Sequence, residues 1–162
     1  MKSMHLIVGS ILLILLFLAV PAQAQTMTAA QKADIEKAVK DKVTQLYASF
    51  DSLKAETYLK LWSRNKIMGA LTPTGLVTTP DALSKLYKTD VSNQKSHKNE
   101  IVDIKVQVLS PEMAFGFGKT TLRIERTNGN IENYNVGDIS IWVKESGEWK
   151  LAHHAYTGEA RK

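Results

Sequence analysis

The side chains best able to do chemistry lie near the C-terminus, where His153 and His154 are adjacent in a stretch that alternates as a strand. Neighbours on a strand point to opposite faces, so the two cannot chelate one metal from one side. Parity places His153 with Trp149, Leu151 and Ala155 on the more apolar face, and His154 with Lys150 on the more polar one. A pocket-facing His153 could orient a ligand or move a proton near neutral pH. The competing reading is a hydrogen-bonded structural histidine. Asp138 shares a strand face with Tyr134, Val136, Ser140 and Trp142. Facing a pocket, with its pKa raised by burial, it would be the acid/base partner of His153; otherwise it is a solvated or salt-bridged strand aspartate. Tyr58, Trp62 and Tyr87 are expected either to line an apolar cavity or to pack in the core, since helical spacing suits both.

Other chemistries are disfavoured. No second histidine or carboxylate stands at metal-ligand spacing, so no metal is expected. Gly116-Phe117-Gly118-Lys119-Thr120 lacks the earlier glycine of a phosphate loop and reads as strand interior. Neither a G-x-S-x-G elbow nor an H-E-x-x-H pair occurs, and no cofactor is implied. The absence of cysteine excludes disulfides and a thiol nucleophile. The 21 basic and 16 acidic residues leave a net charge of +5. They are interleaved, as in Lys32, Asp34, Glu36 and Lys37, rather than gathered into the patch that nucleic acid requires.

The elements that must position these residues follow from periodicity. Thr28-Ala29-Ala30-Gln31 has the form of a capping box. Ile35, Ala38, Val39, Val43, Leu46, Tyr47 and Phe50 then make one apolar stripe on a long helix. Ser52 can cap a second, short helix carrying Tyr58 and Trp62. Ile67 to Leu71 reads as a short strand, and Thr72-Pro73-Thr74-Gly75 as a turn. Thr79-Pro80-Asp81 starts a third helix. From Glu100 the period falls to two, giving strands over 100–108, Met113–Arg126, Ile131–Lys144 and Trp149–Thr157. Asn128-Gly129 predicts a type I′ hairpin. Helices first and strands after give an α+β domain with helices on one face of a curved antiparallel sheet. Apolar residues on both sheet faces, such as Phe115 and Phe117 beside Leu122 and Ile124, predict a homodimer through the sheet.

Residues 1–24 read as a secretory signal peptide: Lys2, the apolar run Leu6 to Val20, then Ala22-Gln23-Ala24 as an A-x-A cleavage site. The run is shorter than the ~20 residues that span a bilayer. The expected mature domain is 25–162, periplasmic or secreted and free of the membrane after cleavage.

The order of elements resembles the nuclear transport factor 2-like superfamily, in particular its SnoaL-like and association-domain-like bacterial members. The resemblance is carried by Ile141-Trp142-Val143-Lys144-Glu145-Ser146-Gly147-Glu148-Trp149-Lys150-Leu151-Ala152-His153-His154, by Leu61-Trp62-Ser63-Arg64-Asn65, and by Gly75 ahead of Pro80-Asp81-Ala82-Leu83. It implies a cone: a bent sheet around the long helix, open at one end as a pocket for a small apolar or amphipathic ligand. Enzymes of the superfamily usually place an acid just after the second helix. Asn65 stands there, as a pocket residue that cannot take up a proton. That departure favours a non-catalytic binding or association module over a cofactor-free isomerase, dehydratase or hydrolase.

Overall fold

The computed structural model describes residues 27–66, 69–72 and 75–161. The expected leader, along with Ile67, Pro73 and Thr74 of the expected strand and turn, lies outside them. Helix α1 (Ala29–Asp51) starts on the expected capping box, with Thr28 Oγ1 accepting from Gln31 N and the Gln31 side chain accepting from Thr28 N. Its apolar stripe buries Val39, Val43, Leu46 and Tyr47 against the sheet. Helix α2 (Ala55–Leu59) turns the chain back, and α3 (Pro80–Val91) begins on Thr79 with proline in the first turn. Strands β1 (Gly69–Thr72) and β2 (Gly75–Val77) separate α2 from α3. Four long strands follow: β3 (Gln94–Ser110), β4 (Met113–Arg126), β5 (Ile131–Glu145) and β6 (Glu148–Ala160).

The sheet order is β2-β1-β6-β5-β4-β3. The long strands form the expected antiparallel meander, whereas β1 runs parallel to β6, pairing Ala70 with His154. Register shifts in β3 between Ile101 and Asp103, and between Ile141 and Trp142 of β5 opposite β6, increase the local twist and bend the sheet around α1. The β4–β5 turn is not type I′. Gly129 has positive φ but Asn128 does not, and Arg126 N donates to Asn130 O across a three-residue loop. The two successive positive φ values occur instead at Ser146-Gly147, between β5 and β6.

The core fills one side of the sheet. Trp142, Leu151, Val39, Val43 and Leu46 are fully enclosed. Trp142 Nε1 donates to Ser140 Oγ at 2.9 Å, and Ser140 Oγ donates to the Gly116 carbonyl at 3.2 Å, so the polar atoms of these two side chains are paired. Trp62 is buried here edge-on to Tyr58, which makes it core rather than cavity lining. Asn65 is exposed: its amide donates to Glu145, which also accepts from Ser63 Oγ at 2.7 Å. The residue in the family's acid position is therefore a latch between the loop and β5, outside the cavity.

Candidate functional site

Between α1 and the inner face of the sheet lies a cavity of about 280 Å³. Its most enclosed polar side chains are Tyr47 from α1, Thr120 from β4, Asp138 from β5 and His154 from β6, and Asn99 and Tyr134 also line it. Apolar lining comes from Phe50, Leu122, Ile124 and Val136, and the mouth carries Asp90, His97, Arg126 and Tyr156.

The histidine in the cavity is His154, which corrects the expectation for His153. Trp142 pairs with Leu151 and Ile141 with His153, leaving Ala152 without a partner as a β-bulge. The extra residue reverses side-chain parity beyond it. Trp149 and Leu151 remain inward, but His154 takes the inward position after them and is 3% exposed. His153 opposes Ile141 on the outer face and is half-buried.

Asp138 opposes Tyr156 on one side and Gly118 on the other, diagonal to His154. Its side chain is enclosed, and the Tyr47 hydroxyl donates to Oδ2. A glycine is required at 118 for that contact, since a Cβ there would stand 1.5 Å from the Tyr47 oxygen and 2.7 Å from Asp138 Oδ2. Asp138 Oδ1 lies 3.8 Å from His154 Nε2, beyond hydrogen-bond reach. These two atoms and Thr120 Oγ1 are buried without a hydrogen-bond partner. Such orphans are costly unless something satisfies them. One ligand oxygen could contact both Asp138 Oδ1 and His154 Nε2.

Burial sets the electrostatics. It pushes the Asp138 carboxyl above the usual carboxylate range, against the lowering effect of the Tyr47 hydrogen bond. It lowers His154 to about 4, with a further contribution from His153, so the imidazole is neutral at physiological pH. With the ring neutral, the pair is not a salt bridge. His97, stacked on Phe50 at 5.9 Å, is also lowered to about 4, by burial and then by Arg126. Arg126 itself is taken up by Glu132, at 2.7 and 3.1 Å, and by Asn93 at 2.8 Å.

Of the other sequence candidates, Tyr58 and Tyr87 stack at 4.5 Å and border a second cavity beside the first. Tyr47, Phe50 and Thr120 were not expected as site residues. The two helical aromatics belong to the same apolar stripe as the core, and only the sheet's curvature separates a void from it. Among the described residues, no group of three or more His, Cys, Asp or Glu is placed to hold a metal ion. No described helix is long and apolar enough to cross a membrane.

A family model described as a SnoaL-like domain matches residues 39–156. No curated protein matches the chain. Solved structures do. A nuclear transport factor 2-like superfamily protein from Salmonella enterica has 14% identity and a TM-score of 0.73, over 81% of this chain and 95% of that one. A candidate scytalone dehydratase from Novosphingobium aromaticivorans has 13% identity and a TM-score of 0.73, over 82% and 89%. A hexachlorocyclohexane dehydrochlorinase from Novosphingobium barchaimii has 14% identity and a TM-score of 0.68, over 83% and 92%. At these identities the likeness establishes the fold.

Proposed function

We propose that this chain, which belongs to the SnoaL-like domain family, binds a small, largely apolar molecule bearing one oxygen function and moves a proton on it without a cofactor, as an isomerase or dehydratase does. The observation that carries the reading is the trio of enclosed, unpartnered atoms on one cavity wall: Asp138 Oδ1, His154 Nε2 and Thr120 Oγ1. A carboxylate whose pKa is raised by burial is a stronger base than a free one, and so better suited to remove a proton from a carbon beside a carbonyl. The electrons then move onto the carbonyl oxygen, where the Thr120 hydroxyl, and His154 when its proton is on Nε2, can stabilise the developing charge. Asp138 afterwards returns the proton to another carbon, or to a departing hydroxyl. Tyr47 holds Oδ2, so Oδ1 is the oxygen left to act.

Asn65 no longer weighs against this reading, because it is outside the cavity. A binding-only role is the second reading. It is favoured by His154, whose low pKa makes it a weak proton acceptor. The discriminating experiment is hydrogen–deuterium exchange into cyclic ketones and enones in D₂O, followed by proton NMR. Exchange at the carbon beside the carbonyl above the buffer rate is expected; bound probe with exchange at the buffer rate favours the second reading. The leader-like residues 1–24 support action outside the cytoplasm.

We further propose a homodimer through the outer sheet face. Leu71, Ala155, Ile139 and Phe117 form one cross-strand row there, and His153, Ile141 and Phe115 the next. Leu71 is 48% exposed and Phe117 37%, while the helices cover the other face. Such an apolar row is suited to a second copy of itself about a two-fold axis. Sedimentation at about 20–50 μM should give a dimer, a range in which interfaces of standard size are normally occupied. Phe117→Asp should give a folded monomer; a wild-type monomer in that range contradicts the proposal.

A further inference from the structure

The second cavity, about 230 Å³, is lined by Tyr58, Ala70, Leu83, Leu86 and Tyr87. It shares Phe50, Asp90 and Tyr156 with the first. Neither volume alone reaches the roughly 300 Å³ at the lower end of small-molecule pockets, and together they fall well inside that range. We infer that the two are compartments of one bent pocket, divided by Phe50 and Tyr156, and that its ligand is an elongated molecule without a negative charge. Its oxygen function sits at His154 and Thr120 with the carbon beside it at Asp138 Oδ1, and a second apolar portion lies against Leu83, Leu86 and Tyr87. This rests on the proton-transfer site proposed above and adds the shape and charge of its substrate.

Three observations support it. The second compartment is predominantly aromatic and aliphatic, so it selects apolar area rather than a further polar group. The carboxylates of Asp138 in the first compartment and Asp90 in both disfavour an anion. Arg126, the cation at the mouth, is occupied by Glu132 and Asn93 and is not free to reverse that preference. Phe50 reaches inward from α1, and Tyr156, 39% exposed, lies towards the end of β6. Phe50 is packed against Tyr58, Tyr87, His97 and His154, so rotation of the exposed Tyr156 ring is the side-chain movement that would join the compartments.

Binding of phenol and of 4-phenylphenol to the full protein, measured by titration calorimetry, tests the inference. Both place a hydroxyl at the polar wall, and the second ring needs the second compartment. Wild type should bind 4-phenylphenol about tenfold more tightly or better, from the added apolar burial. Leu86→Trp and, independently, Ala70→Leu should remove that advantage by filling the second compartment. Ala70 is enclosed and could fail to fold when enlarged; Leu86 is only half-buried and keeps the test available. Equal affinity of the two probes in wild type would overturn the bent pocket while leaving the polar site standing. So would an advantage that survives in folded Leu86→Trp. Failure of both probes to bind would overturn the inference together with the polar site beneath it.

Discussion

Acidification should destabilise this protein in the window between about pH 6.5 and about 4, and buried His154 with partly buried His97 should account for most of the loss. His154 and His97 are each held down to about 4 in the folded chain, against about 6.5 when unfolded. The unfolded chain therefore binds more protons across that interval, so stability rises with pH through it. The contribution is complete above the unfolded value and is lost progressively as pH falls towards the folded one. At 1.36 kcal/mol per unit, each ring accounts for about 3 kcal/mol as an upper figure. Asp138 and Asp90 work in the opposite sense. Their folded pKa values are raised, so they favour the fold as pH falls through those values towards the unfolded carboxylate range. Urea unfolding at pH 7.0 and at about pH 4.5 should show a drop of a few kcal/mol, and His154→Gln should reduce that drop by the share of one ring. Equal stability at the two pH values would mean that neither histidine is buried neutral.

Replacing Gly118 with alanine should be among the most damaging single-methyl additions in the protein. The new Cβ would occupy the position of the Tyr47 oxygen. Tyr47 must then leave Asp138, whose Oδ2 would join Oδ1 as a buried oxygen without a partner. Loss of a hydrogen bond to a buried charged group, with the strain of overpacking, is expected to cost about 3 kcal/mol or more. Tyr47→Phe in the same chain removes the oxygen that collides and should recover part of the loss. The two substitutions together should then be less destabilising than the sum of each alone. Thermal and urea unfolding of the four proteins in this cycle provides the check. Simple additivity would show that Tyr47 does not occupy the space above Gly118.

The long elements could be read from residue pattern because each repeats one physical signal many times. The stripe from Ile35 to Phe50 and the alternation through β3 to β6 are examples. The site depends on features that appear only once. The unpartnered Ala152 leaves no mark in the alternation Trp149, Leu151, His153, yet it reverses every side chain after it. Strand parity therefore selected the wrong one of two adjacent histidines. Asp138 was placed on the correct face, because no bulge interrupts β5 between it and its inward neighbour Ser140. Asn65 was misplaced for another reason: its position relative to α2 matched a family pattern, but its amide is directed to Glu145. Tyr47 and Phe50 carry the same apolar periodicity as Val43 and Leu46. Only the sheet's bend leaves space beside the first pair and none beside the second.

The proposed catalysis requires Asp138 Oδ1 to remove a proton from the molecule in the cavity. Its most direct test compares hydrogen–deuterium exchange into a bound cyclic enone by wild type and by Asp138→Asn, with probe binding measured in parallel. Asparagine preserves the shape of the side chain and removes its ability to accept the proton. Wild type should exchange the proton beside the carbonyl above the buffer rate. Asp138→Asn should bind the probe within a fewfold of wild type and exchange it about 10²-fold more slowly or worse, the scale of a lost general base. An Asp138→Asn protein that binds and exchanges the probe as fast as wild type would show that Asp138 is not the base.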